Sequence, residues 1–186
     1  MCSSDLLFVG RLLPHKGVNY LIDGLPNDMT LNIAGRPYHE EYFKYLCSRA
    51  DGKQVQFHHN WDDDLLIEAY RTSLAIVLPS VFTDVYGNKS GVPELLGQTL
   101  LEGMACGIPA ICANVASMPE IVIDGVTGFI VPPNDPAAIH SRLSWLRDHP
   151  EDARRMGQAA RERVLKVFTW PAVVKRCLEA YALPKA

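Results

Sequence analysis

Short apolar runs decide the fold, and the first of them is Asp5-Leu6-Leu7-Phe8-Val9-Gly10. An unbroken run of this kind is typical of a parallel strand that is buried on both faces. Similar runs lie at 29–35, 55–58, 74–80, 109–113 and 128–133, and segments with helical spacing separate them. The alternation predicts an α/β domain: a Rossmann-like, doubly wound parallel sheet of about six strands with helices on both faces.

The remainder of the chain is helical in pattern from Pro136 onward, with predicted helices at 136–148, 151–166 and 171–182. Asp135 precedes the first of these and is expected to cap it. A chain of 186 residues can bury a substantial core within one domain. We therefore predict a single domain over residues 1–186 with a helical C-terminus.

Composition excludes several classes of function. The formal net charge of −3 provides no basic surface for a nucleic-acid partner. The five cysteines are scattered, without a CxxC pair or a nearby histidine at metal-ligand spacing, so we expect reduced thiols and no metal. Reduced thiols favour a cytoplasmic location, and no apolar run approaches the roughly 18 residues of a membrane span.

The stretch Pro93–Gly107 contains two carboxylates, Glu94 and Glu102, on either side of Gly97-Gln98-Thr99. Gly97 permits a tight turn, after which residues 99–106 are expected to form a helix. The free N–H groups at a helix start attract anions, and the Glu102 side chain leans back toward that end. A phosphate with a polyhydroxylated group on each side would fit this helix start with a carboxylate on either side. The alternative is a buried helix with a charged first turn and no ligand.

The loop after the first strand, Gly10-Arg11-Leu12-Leu13-Pro14-His15-Lys16-Gly17, has neither the dinucleotide-binding fingerprint nor the P-loop pattern. It places two cations, Arg11 and Lys16, at the carboxyl ends of the strands, where ligands of such sheets bind. Arginine and lysine both suit phosphate oxygens. The alternative is that both are simply solvated surface residues.

The two glutamates have a second interpretation, as the acid/base pair of a glycosidase, because spacing alone does not exclude it. A carboxylate that accepts two hydrogen bonds from a vicinal diol also suits ribose, which favours that role for Glu102. The histidines of the strand-end loops, His15, His58 and His59, are expected to be loop residues rather than catalytic bases. Trp61, Trp145 and Trp170 are expected to pack.

Together these motifs resemble the C-terminal, nucleotide-sugar-binding half of the family 4 glycosyltransferases, retaining enzymes of the GT-B fold. The resemblance covers nearly the whole chain. Its most specific element is Glu94-x7-Glu102 continuing into Gly103-Met104-Ala105-Cys106-Gly107-Ile108-Pro109. It also includes the Gly10–Gly17 loop, Pro79-Ser80, and the segment Asp124-Gly125-Val126-Thr127-Gly128-Phe129.

The resemblance implies a role for each site residue. Arg11 and Lys16 would neutralise the donor diphosphate, and backbone N–H groups at Thr99 and Leu100 would hold its distal phosphate. Glu94 would accept hydrogen bonds from the donor sugar, Glu102 would hold the ribose, and backbone near Gly35-Arg36 and Phe57-His58 would border the base. The implied catalytic residues are Glu94, Arg11 and Lys16; the implied donor-binding residues are Gly10, Arg11, Lys16, Glu94, Gly97, Gln98, Thr99, Leu100 and Glu102. The donor would be a UDP- or GDP-sugar, bound without a cofactor or metal.

Two departures from the family pattern are visible. The loop Thr83–Val92 is longer than usual, and Leu95-Leu96 replaces the common Gly-Phe. The N-terminal half, which supplies the acceptor site in this fold, is absent, so we expect an excised domain or truncated product that is inactive alone. A full-length enzyme could contact a membrane peripherally. The last helix, with Trp170 and Tyr181, would then leave an apolar surface exposed for self-association.

Two other functions remain open at this point. One is a stand-alone nucleotide or nucleotide-sugar binding module without transfer activity. The other is a sugar-nucleotide epimerase of the same fold, which needs no separate acceptor. An upstream coding sequence for a second Rossmann-like half would favour the transferase.

Overall fold

The computed structural model describes residues 5–182. In this range, six strands form one sheet in the order β3-β2-β1-β4-β5-β6, and every neighbouring pair is parallel. Their bounds are β1 Asp5–Val9, β2 Thr30–Ala34, β3 Val55–His58, β4 Ala75–Leu78, β5 Ala110–Ala113 and β6 Gly128–Val131. The prediction of a doubly wound parallel sheet of about six strands is confirmed.

The sheet is a buried layer, as the unbroken apolar runs predict. Every residue of the central strands β4 and β5 is buried, and Leu6, Leu7 and Phe8 of β1 are completely inaccessible. β1 pairs with β2 on one side and β4 on the other, so the chain order reverses between β1 and β4. A crevice for ligands opens at the carboxyl ends of the strands where such a reversal occurs.

Eight helices complete the described chain. They are α1 Val18–Asp23, α2 Glu40–Ala50, α3 Asp63–Thr72, α4 Gln98–Ala105, α5 Met118–Ile121, α6 Pro136–Asp148, α7 Pro150–Val167 and α8 Trp170–Ala182. Aspartates cap two of them: Asp62 accepts from the Leu65 N–H at 2.9 Å, and Asp135 accepts from the Ala138 N–H at 2.9 Å. The predicted Asp135 cap is confirmed. These caps satisfy N–H groups that the helix start leaves without an intrahelical partner.

The helices lie on both faces of the sheet, as predicted. One set of contacts joins α1 with α2 and α6, and another joins α4 with α3 and α7. Helix α4 packs closely on β4, because a Cβ on Gly103 would come within 2.7 Å of the Ile76 side chain. This contact fixes the position of α4, and therefore of its N-terminus, relative to the sheet.

Helix α8 differs from the other helices because none of its residues is buried. Trp170 is 82% exposed and Tyr181 is 85% exposed, and Val174 and Leu178 lie on the same apolar stripe. The expectation that Trp170 packs is therefore wrong within the described chain, whereas Trp61 and Trp145 do pack against the core. In residues 5–182, no helix combines the length and apolar character needed to cross a membrane.

Candidate functional site

The loops that follow β1 and β4 meet at the reversal of strand order. The first loop contains a 3₁₀ turn, Pro14–Lys16, and Gly17 then adopts a left-handed conformation with φ +67°. A Cβ on Gly17 would lie 2.1 Å from the Pro79 carbonyl oxygen, so only glycine allows this approach. The Val81 N–H donates to the His15 carbonyl at 2.9 Å and ties the second loop to the first.

Lys16 and Glu94 form an ion pair inside this crevice, with 2.5 Å between Lys16 Nζ and Glu94 Oε2. Only 14% of the Lys16 side chain and 12% of the Glu94 side chain are exposed. The other carboxylate oxygen, Glu94 Oε1, accepts a hydrogen bond from the Gly97 N–H at 3.3 Å. The structure therefore brings together two residues to which the family resemblance gives different parts of a donor, the diphosphate and the sugar.

The start of α4 offers backbone donors next to this pair. Gly97 has φ +60°, a left-handed conformation that favours glycine, and no side chain caps the helix. The Leu100 N–H donates to the Gly97 carbonyl at 2.9 Å, whereas in the described chain the N–H groups of Gln98 and Thr99 donate no hydrogen bond. The free donors thus lie at Gln98 and Thr99, one residue earlier than the predicted Thr99 and Leu100. The Leu100 side chain is fully buried beneath them.

Glu102 lies in the second turn of α4 and has a partner on another helix. Its Oε2 accepts a hydrogen bond from the Tyr70 hydroxyl of α3 at 2.6 Å. Tyr70 is only 3% exposed, whereas Glu102 is partly accessible. Burial, and then the hydrogen bond to Glu102, raise the pKa of Tyr70 far above its ordinary value, so its hydroxyl remains a donor.

Arg11 and Gly10 occupy the outer part of the crevice. Gly10 directly follows β1 and donates its N–H to the Ala34 carbonyl at 3.0 Å. Arg11 is exposed, and its guanidinium lies 5.8 Å from the centre of the Tyr38 ring. Arg11 is therefore available to a ligand from solvent, whereas Lys16 already has a carboxylate partner.

Ser80 follows β4 and is completely buried in the same region. Among residues 5–182, its hydroxyl is the buried side-chain group that lacks a hydrogen-bond partner. An unpartnered buried hydroxyl carries a free-energy cost.

A small cavity of about 140 Å³ lies at the carboxyl ends of β2 and β3. His58 and Trp61 stack there with 4.0 Å between ring centres, and His59 Nδ1 lies 2.8 Å from the Gly35 carbonyl oxygen. Burial and the neighbouring His59 lower the pKa of His58, which favours its neutral ring. An aromatic platform beside backbone polar groups is suited to a planar base, the role that the resemblance gives to this edge.

His15 faces the cationic side of the crevice. Burial lowers its pKa first, and the positive charges of Lys16 and Arg11 lower it further, against opposing effects from Glu94 and Asp84. His15 is therefore biased toward its neutral form, in which it adds no charge to the two cations. Its carbonyl also holds the Val81 loop, which is a structural role.

A larger cavity, of about 630 Å³, lies elsewhere, between α6, α7 and the residues before β6. Its lining includes Phe129, Arg142 and Trp145, and it contains none of the predicted site residues. Because ligands of doubly wound sheets bind at the carboxyl ends of strands, size alone does not make this cavity the site. In the part of the chain that is described, no three His, Cys, Asp or Glu side chains are grouped so as to hold a metal ion.

Comparison with known proteins shows the family of the chain. A profile of the family described as glycosyl transferases group 1 matches residues 3–163. The chain belongs to this family. The matched segment contains every residue of the crevice, from Gly10 to Glu102, and it ends within α7.

Named relatives of this group 1 domain are longer than the chain itself. It is 34% identical over 167 residues to the D-rhamnosyltransferase WbpZ of Pseudomonas aeruginosa, a match that covers 88% of this chain and 41% of that protein. The chain spans less than half the length of the curated relatives it matches.

Solved structures show the same fold. Anabaena HepE in complex with UDP and glucose superposes with a TM-score of 0.81 at 19% identity, covering 97% of this chain and 48% of that one. The C-terminal domain of a glycosyl transferase group 1 family protein from Francisella tularensis superposes with a TM-score of 0.72 at 20% identity, covering 89% of this chain and 86% of that one. The group 1 domain therefore shares the fold of the matched half of HepE and of the Francisella domain.

The structure adds site residues that the sequence did not indicate. Tyr70 lies in one of the helical segments between the predicted strands, and a buried phenol commonly needs a polar partner. Leu95 and Leu96, which replace Gly-Phe, are 81% and 51% exposed beside Glu94. The pairing of Lys16 with Glu94 spans 78 residues and has no local sequence signal.

Proposed function

We propose that this group 1 domain binds the nucleoside-diphosphate sugar donor of a glycosyltransferase. The observation that carries the proposal is the pair of free N–H groups at Gln98 and Thr99, in a crevice that also contains Lys16, Glu94 and Glu102. Free N–H groups and the helix dipole favour an anion at this point. A diphosphate with a sugar on one side and a ribose on the other matches the order of these groups.

In this proposal each group has one task. The Gln98 and Thr99 N–H groups bind the distal phosphate, and Arg11 and Lys16 neutralise the diphosphate. Glu94 accepts hydrogen bonds from the sugar, and Glu102 accepts them from the ribose. The base lies against the His58 and Trp61 edge of the sheet. The bound donor also replaces the Lys16–Glu94 pair with contacts to phosphate and sugar, so the two residues keep partners throughout.

The proposed reaction transfers the sugar from its diphosphate to an acceptor hydroxyl. The bond between the anomeric carbon and the distal phosphate oxygen breaks, and the diphosphate leaves with the electron pair. The oxygen of an acceptor hydroxyl forms the new bond to that carbon, and its proton passes to an oxygen of the departing diphosphate. Fixed positive groups stabilise the charge that develops on the leaving diphosphate, which is where Arg11, Lys16 and the α4 N-terminus contribute. We propose retention of anomeric configuration, as in family 4, and no metal or other cofactor.

Transfer in this proposal needs a second domain, N-terminal to this one, that binds the acceptor. Catalysis requires donor and acceptor to be held together in a closed site from which water is excluded. The domain alone is therefore proposed to bind the donor without transferring it. Three points stay predictions: a donor that is a UDP- or GDP-sugar, a cytoplasmic location, and self-association through α8.

Thermal unfolding with UDP, GDP, ADP and their glucose conjugates tests donor binding. A ligand at one hundred times its dissociation constant stabilises the folded state by about 2.7 kcal/mol. For at least one base, the proposal predicts a rise in the midpoint temperature with both the nucleotide and its sugar form. If none of these ligands shifts the midpoint at millimolar concentration, the domain does not bind such donors.

Variants of the two glutamates test the assignment of tasks. Glu102→Ala is expected to weaken binding of the nucleoside diphosphate and of its sugar form to the same extent, because both contain ribose. Glu94→Ala is expected to reduce only the additional affinity that the sugar provides. Equal losses for UDP and UDP-glucose in Glu94→Ala would show that Glu94 does not contact the sugar.

A further inference from the structure

Tyr70 is a residue for which neither the sequence nor the family match provides a role. Its ring lies in the core, 3% exposed, and its hydroxyl donates to Glu102 Oε2 at 2.6 Å. The two residues belong to different helices, α3 and α4, which contact each other near this point. The hydrogen bond therefore links the buried face of α3 to a carboxylate at the edge of the crevice.

This contact limits what Glu102 can do with a ligand. A carboxylate has two oxygens with about four acceptor positions. Tyr70 engages Oε2, whereas no hydrogen bond to Oε1 is present among residues 5–182. Tyr70 occupies one position on Oε2, so both acceptor positions of Oε1 are open to a group that reaches the partly accessible Glu102.

We propose that Tyr70 is a positioning residue that orients the Glu102 carboxylate so that Oε1 binds the ribose diol of the nucleoside diphosphate. Tyr70 does not touch the ligand, and it acts only through Glu102. The inference rests on the proposed function, since it assigns Glu102 to ribose. It adds that discrimination between ribose and deoxyribose depends on a buried phenol in α3.

Two features make a phenol suitable for this task. A hydroxyl next to a carboxylate gives a short, charge-assisted hydrogen bond that holds the acceptor in one orientation. Burial, and then the hydrogen bond to Glu102, raise the pKa of Tyr70, so the phenol keeps the proton that it donates. A fixed carboxylate loses less conformational freedom when it binds a diol than a mobile one does.

The experiment measures dissociation constants by isothermal titration for UDP, GDP and their 2′-deoxy forms. The quantity compared is the ratio of the deoxy constant to the ribo constant for whichever base the wild-type chain binds. Tyr70→Phe removes the hydroxyl and retains the ring. It is expected to weaken ribonucleotide binding about tenfold, the effect of one hydrogen bond to a charged group, and to weaken deoxynucleotide binding much less. The ratio then falls toward one.

Tyr42 provides a matched control. It is also a buried tyrosine in a helix, and its hydroxyl donates to Asn19 Oδ1 at 2.9 Å, between α1 and α2 rather than beside Glu102. Tyr42→Phe is expected to lower thermal stability without changing the ratio. A merely structural role for Tyr70 would give the same result in Tyr70→Phe: lower stability and an unchanged ratio. That outcome would overturn the inference.

Two further variants guard against misfolding. Together with the wild-type result, they separate the positioning role of Tyr70 from the donor-binding proposal. Glu102→Gln retains the size of the side chain but removes its charge, and it is expected to lower the same ratio. In a Glu102→Ala chain, the added change Tyr70→Phe should leave the ratio unaltered, because Tyr70 acts through Glu102. A further fall of the ratio in that background would contradict the inference. If the wild-type chain binds none of the nucleotides, the donor-binding proposal itself fails and the inference fails with it.

Discussion

The Lys16–Glu94 pair provides a quantitative test of the crevice as a preformed charged site. The side chains are 14% and 12% exposed, and 2.5 Å separates Lys16 Nζ from Glu94 Oε2. Replacing Lys16 by Met or Glu94 by Gln leaves the other charge largely buried without its partner. Replacing both removes the two charges together, so the cost of the double variant should be well below the sum of the two single costs.

The expected loss in the free energy of unfolding follows from this burial. Removal of one partner from a buried ion pair typically costs about 3 to 5 kcal/mol. Because roughly one eighth of each side chain remains in contact with solvent, the lower end applies, about 3 kcal/mol for each single variant. The double variant is expected to cost about 3 to 4 kcal/mol instead of the roughly 6 kcal/mol of the sum, a coupling of about 2 to 3 kcal/mol.

Urea unfolding of the wild type, both single variants and the double variant measures this coupling. The exposed pair Glu40–Lys44, with 80% and 72% of its side chains accessible, is the control. Its coupling should be only about 0.3 to 0.5 kcal/mol, as in other exposed helical pairs. If the Lys16 and Glu94 effects add within about 0.5 kcal/mol, the two side chains are not a buried, interacting pair.

Three further predictions concern neighbouring residues. Gly97→Ala places a Cβ on a residue with φ +60°, 3.2 Å from the Ile121 and Leu100 side chains. The variant should lower the free energy of unfolding by about 1 to 2 kcal/mol in urea and should weaken UDP or GDP binding. Unchanged stability would contradict the requirement for a left-handed turn at this residue. The pKa of His15 is lowered below 6.5 in the folded chain, so as the pH falls the imidazole takes up a proton in the unfolded chain before it does so in the folded chain. The contribution of His15 to the free energy of unfolding is therefore fully present above about pH 6.5 and is lost as the pH falls below that value. His15→Asn should therefore lose less stability than wild type between pH 7 and 5, and an equal loss would refute this contribution. Arg11 is exposed, so Arg11→Gln should reduce nucleotide affinity in isothermal titration mainly at low ionic strength, where charges are least screened; a reduction independent of salt would argue against a charge effect.

Much of the fold is predictable from local sequence. The unbroken runs at Asp5–Val9 and Ala75–Leu78 form buried strands because a sheet covered on both faces has no polar side to alternate with. Asp135 before Pro136 predicts its helix start because an aspartate satisfies an N–H that the helix leaves free. The reversal of strand order between β1 and β4 then brings the Gly10–Gly17 loop and α4 to the same crevice.

The details of the site depend on contacts between distant residues. Tyr70 and Glu102 are 32 residues apart, and their hydrogen bond depends on which face of α3 packs against α4. The free donors lie at Gln98 and Thr99 because Gly97 already accepts from Leu100, which only the observed turn geometry reveals. Trp170 looked like a packing residue by type, yet its helix contributes no buried side chain to this domain. Residue type and spacing do not fix such pairings.

The first turn of α4 can be observed directly by two-dimensional NMR of the backbone amides. Gln98 and Thr99 have N–H groups without a partner in the described chain, and binding of a phosphate would give both a hydrogen bond. Titration with UDP or GDP should therefore shift the Gln98 and Thr99 amide signals strongly, whereas uridine or guanosine, which lack phosphate, should leave them nearly unchanged. Nucleotide binding that leaves both signals in place, or shifts them equally with the phosphate-free nucleoside, would contradict a phosphate site at the start of α4.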